Sequence, residues 1–133
     1  MFHVEHFFRR CFSLKRKIRI ITVNHKKFAW WYSFNHGTEI HLSPEQDKTA
    51  VITVRFPLQN AGHPGFFAFP LWISMQKQNQ FCRVKLLEPN MISILLNYLQ
   101  NHFRTRTLLS FDGSALLSEM GWQMITIQNG FDW

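Results

Sequence analysis

Five aromatic residues crowd one short stretch of the chain, FAWWYSF, at Phe28, Trp30, Trp31, Tyr32 and Phe34. Side chains of an extended segment alternate between two faces, so Phe28, Trp30, Tyr32 and Phe34 share one face and Trp31 points the other way. A row of this kind serves either as the spine of a hydrophobic core or as a platform on which nucleic-acid bases stack beside a basic edge. Arg16, Lys17, Arg19, Lys26 and Lys27 stand where such an edge would be. Four large rings exposed together would make a costly apolar patch, which favours the core and leaves Trp31 as the ring open to a ligand.

Other chemistry-bearing residues are scattered. His3, Glu5, His6 and Cys11 are metal-ligand types in close spacing, and His36 and His41 flank Gly37. Neither group has the spacing of HExxH, which needs two histidines on one helix face and a glutamate beside the first. In a strand, His36 and His41 would point to opposite faces. AGHPG is not a phosphate-binding loop, and no GxSxG elbow occurs. Glu39, Glu45, Asp47, Glu88, Asp112 and Glu119 read as acids of turns and helix ends. The expectation is no bound metal, no cofactor and no enzyme.

A second aromatic group surrounds the loop GHPGFFAFPLW, with Phe66, Phe67, Phe69 and Trp72. It is unusually apolar for its turn content. It either folds over one end of the core or forms a partner-binding surface, since aromatic residues are enriched in interface cores.

The elements that must position these residues follow from periodicity. KIRIITV (17–23) and FAWWYSF (28–34) alternate and are joined by polar turn residues, which predicts a hairpin. Strands follow at 38–42, 49–56, 66–75 and 81–87, with Pro70 demoting 66–75 to an edge or bent strand. At Pro89 the period changes. Ile92, Leu95, Leu96, Leu99 and Phe103 form one helical stripe, opposed by Ser93, Asn97, Gln100, Asn101 and Arg104. Residues 105–111 return to extended structure. Asp112 caps a short helix over 114–120, ended by Gly121, and 124–128 form a last strand. Strands followed by helix predict an α+β domain: an antiparallel sheet of about five strands, one main amphipathic helix and a short C-terminal helix. Phe28, Trp30, Val54 and Leu95 are expected in one core.

At 133 residues, 46% hydrophobic and 17% charged, the chain has the composition of one globular domain and not of a disordered segment. The net charge of +7 is local. Residues 1–27 hold eight basic side chains against Glu5 alone, whereas residues 28–133 hold seven of each sign. The reading is therefore a basic, aromatic arm at 1–14 attached to a single domain at 15–133, whose body from residue 28 onward is charge-neutral. The two cysteines, Cys11 and Cys82, stand far apart in no CxxC pattern, which points to free thiols in a reducing cytoplasm. MISILLNYL, interrupted by Ser93 and Asn97, is too short to span a bilayer. The apolar N-terminal residues are broken by His3, Glu5, His6, Arg9 and Arg10, unlike a signal peptide.

The hairpin core Ile21, Val23, Phe28 and Trp30, the amphipathic helix and the closing SALLSEMGW together resemble a group of small uncharacterised bacterial proteins, over roughly residues 16–122. The resemblance implies a bacterial, cytoplasmic α+β protein and brings no activity with it. The functional expectation is a small protein-binding module with Trp31, Phe66, Phe67 and Trp72 as contacts. The alternative is a nucleic-acid-binding domain using Arg16, Lys17, Arg19, Lys26, Lys27 and Trp31.

Overall fold

Strands β1 (Arg19–Val23) and β2 (Lys26–Phe34) form the expected hairpin, with Val23 paired to Lys26. The turn is tighter than the sequence suggests. It holds only Asn24 and His25, at φ 52° and 66°. Positive φ at both central residues is what a two-residue hairpin turn with the correct twist requires, and asparagine tolerates it well. The computed structural model describes residues 17–60 and 67–129. The arm expected at 1–14, together with Cys11, Arg16 and Phe66, lies outside the described residues.

β3 (Gly37–Pro44) and β4 (Val51–Pro57) continue the sheet antiparallel, and β9 (Leu108–Asp112) joins β4 in parallel, giving the order β1-β2-β3-β4-β9. A short β5 (Gln59–Asn60) pairs with β6 (Phe67–Ala68). β7 (Pro70–Lys77), β8 (Gln80–Lys85) and β10 (Gln123–Asn129) form a second sheet of order β10-β7-β8. Helices α1 (Pro89–Leu99) and α2 (Gly113–Glu119) complete the α+β architecture.

Pro70 does not make β7 an edge strand. It is the first residue of β7, where a missing N–H costs little, and β7 runs through the centre of the second sheet. Among the described residues, the outer strands of that sheet are β8 and β10.

One core joins both sheets and both helices. Phe28, Trp30, Ile40, Leu42, Ile52, Val54 and Phe56 from the first sheet meet Ile73, Met75 and Val84 from the second. Met91, Ile92, Leu95, Leu96 and Leu99 of α1 and Leu116 and Leu117 of α2 close it. Phe28, Trp30, Val54 and Leu95 thus share a core as expected. Glu88 at the start of α1 makes no side-chain cap, and Pro89 fills the first turn. A missing cap costs about 1 kcal/mol, whereas burying five large apolar side chains contributes roughly 1.5–3 kcal/mol each, so packing decides that α1 forms. The helix ends before Phe103, which instead packs on Phe28 at 5.7 Å from the segment beyond it. Asp112 caps α2 as expected, accepting from the Ala115 amide at 3.1 Å.

Candidate functional site

β8 is rich in residues that turn away from the core. Its register with β7 sets Phe81, Arg83 and Lys85 opposite Gln76, Ser74 and Trp72 on the outer face, and Cys82 and Val84 opposite Met75 and Ile73 on the core face. The ladder also fixes the backbone. Leu86 N–H donates to Leu71 O at 2.9 Å, so that pair belongs to the hydrogen-bonded kind. Such pairs recur at every second residue of an antiparallel ladder, which places 73/84 and 75/82 in the same class. The N–H and C=O groups of Phe81, Arg83 and Lys85 therefore face away from β7, and among the described residues no strand pairs with them.

Beside this edge lies a cleft of about 640 Å³. Cys82, Val84 and Ile94 give it an apolar floor, while Asn90, Ser93 and Asn97 of α1 form its far wall. Trp72 stands at the rim, half-buried. The Arg83 guanidinium lies 4.7 Å and the Lys85 ammonium 4.9 Å from the indole centre. Each cation is attracted to the face of the ring by about 0.5–1 kcal/mol for an exposed contact, offset in part by repulsion between the two like charges. Lys85 also meets Glu88 at 3.5 Å, and both side chains are about half exposed, so that pair contributes little. Phe81 is 65% exposed at the same edge.

A second group of polar residues occupies the outer face of the first sheet. Ser33 Oγ donates to Glu39 Oε1 at 3.1 Å, and Arg55 Nε donates to Glu39 Oε2 at 3.0 Å. His41 Nε2 lies 2.7 Å from Ser33 Oγ, and His41 Nδ1 lies 2.9 Å from Thr53 Oγ1. The Trp31 ring stacks on His41 at 5.5 Å. The single hydrogen of Ser33 Oγ can go to only one of these two neighbours: given to Glu39, it leaves His41 Nε2 as the donor to Ser33 Oγ, and the His41 tautomer sets whether Thr53 Oγ1 donates to or accepts from Nδ1. An activated nucleophile needs the reverse, a serine donating to the imidazole. The arrangement is a hydrogen-bonded network that neutralises a buried carboxylate. Glu39 is accordingly not the turn residue expected from the sequence. It sits within β3, 7% exposed, with Arg55 as its cross-strand partner.

The residues expected at a binding site are dispersed. Trp31 belongs to the first sheet and Trp72 to the second, while Phe67 lies on β6 and Phe66 outside the described residues. Of the basic set, Lys17, Lys26 and Lys27 are exposed, but the Arg19 guanidinium lies over the core residue Trp30 at 5.2 Å. Arg19 and Trp31 occupy opposite faces of the sheet, because Arg19 pairs with Trp30. Phe81, Arg83, Lys85 and the Ser93–Asn97 flank of α1 escaped the sequence reading. Alternation in FCRVK marks Phe81, Arg83 and Lys85 as one face. That β8 is an edge depends on strand order, which periodicity does not carry.

Among the described residues, no group of three or more histidine, cysteine or acidic side chains is placed to hold a metal ion. No helix among them is long and apolar enough to cross a membrane. Comparison of the chain with protein-family models, curated proteins and solved structures finds no match.

Proposed function

We propose that this chain is a small protein-binding module that takes an extended segment of another protein along the free edge of β8. One observation carries this reading: the outward backbone groups of Phe81, Arg83 and Lys85 border a cleft whose other wall is α1. A groove between an edge strand and a helix is the geometry in which a peptide adds a strand, drawing affinity from main-chain bonds and selectivity from side-chain pockets. Trp72, anticipated as a contact residue, stands at the rim of this groove.

Magnitudes show that both parts are needed. Two backbone bonds at each of three residues contribute on the order of 3–9 kcal/mol in total. Association costs about 4–15 kcal/mol in lost freedom. Backbone pairing alone leaves no dependable surplus, so the apolar floor at Cys82, Val84 and Ile94 supplies the remainder.

Peptides selected from a random display library on the immobilised protein test this. Synthetic versions carrying N-methyl groups at alternate amides should separate into two sets. Methylation in one register abolishes binding, because those N–H groups pair with β8. Methylation in the other leaves it nearly unchanged. Equal tolerance in both registers would overturn strand addition.

A further inference from the structure

The faces of β8 specify what kind of segment the groove takes. In an added strand, residues opposite Phe81, Arg83 and Lys85 lie on the outer face with Trp72, and the residues between them lie on the side of Cys82, Val84 and Ile94. The outer positions face two cations already held over the Trp72 ring, at 4.7 Å and 4.9 Å. Among the described residues no carboxylate pairs with Arg83, and the one at Lys85, Glu88, is about half exposed and easily exchanged. The inner positions face the apolar floor of the cleft.

From this, and resting on the strand-addition reading above, we infer that the partner is an extended segment with carboxylates at alternate positions and apolar residues between them. A second copy of this chain is a poor occupant. Antiparallel pairing of two β8 strands centred on Arg83 would set arginine against arginine, and like charges directly opposite destabilise a sheet. A nucleic acid would satisfy the cations, but its backbone carries no row of alternating donors and acceptors at strand spacing to match the N–H and C=O groups of the edge.

The test uses the full chain and three end-blocked, fluorescent octapeptides of alternating Glu-Val, Gln-Val and Lys-Val, followed by anisotropy. The Glu-Val peptide should bind about tenfold more tightly than Gln-Val at low salt, because two opposed charge pairs act together, and the gap should narrow as salt rises. The double variant Arg83→Glu/Lys85→Glu should reverse the order and favour Lys-Val, a gain that misfolding cannot produce. Equal affinity of the wild type for Glu-Val and Gln-Val overturns the charge pattern while leaving strand addition intact. Failure of all three peptides, with a single-stranded oligonucleotide bound at Arg83 and Lys85 instead, overturns both.

Discussion

Trp30 and Trp31 are neighbours with opposite fates. Trp30 is 2% exposed and sits inside the core, whereas Trp31 faces outward and stacks on His41. Their difference follows from the two-residue period of a strand and was legible in the sequence. Replacing Trp30 by alanine removes a large, fully enclosed ring that its neighbours cannot refill, so Trp30→Ala should lower stability by about 3–5 kcal/mol. Urea denaturation followed by far-UV circular dichroism measures this, and a change below about 1 kcal/mol would contradict the core assignment. The strand position of Glu39 was legible, since 38–42 reads as extended, but its burial was not. Only the register that sets it against Arg55 shows why a strand can bury it.

At the scale of elements, the strands with clean alternation and the amphipathic helix stand where the pattern puts them. Connections between them were less legible. The loop after β3 is fastened to the segment before β9 through Asp47, which accepts hydrogen bonds from the hydroxyls of Thr49 and of Thr105, the latter at 2.8 Å. The Thr105 contact joins residues 58 positions apart, which no local pattern reveals. The Thr49 hydroxyl, then the Thr105 hydroxyl, hold the Asp47 carboxyl below its ordinary value of 3.8, with Arg106 acting in the same sense. Since the folded-state value is the lower one, the carboxylate stabilises the fold above about pH 3.8 and loses that contribution as pH falls through the folded value. Asp47→Asn should therefore melt below the wild type near neutrality, and the gap should close as pH falls toward about 2. Thermal melts across that range check it; a gap that stays constant would mean that the charge of Asp47 does no stabilising there.

Across the whole molecule, the chain builds one core from two sheets and leaves β8 as an edge beside α1. The sequence reveals that 81–85 is extended, though the expected strand ran on to 87 where the chain turns, and that α1 has a polar side. It does not reveal that Ser93 and Asn97 of that side wall a cleft, because juxtaposition of β8 and α1 is a tertiary fact. Charge illustrates the same limit. The excess at residues 1–27 is conspicuous in the sequence, while the cations that frame the cleft, Arg83 and Lys85, belong to a region of zero net charge. The central claim is that β8 receives a strand, and amide hydrogen exchange read by NMR tests it most directly. In the free protein the amides of Phe81, Arg83 and Lys85 should exchange quickly. With a selected peptide bound, those three should become protected together, while Cys82 and Val84, already bonded to β7, change little. Protection that appears elsewhere, with these three amides still exchanging quickly, would contradict the account.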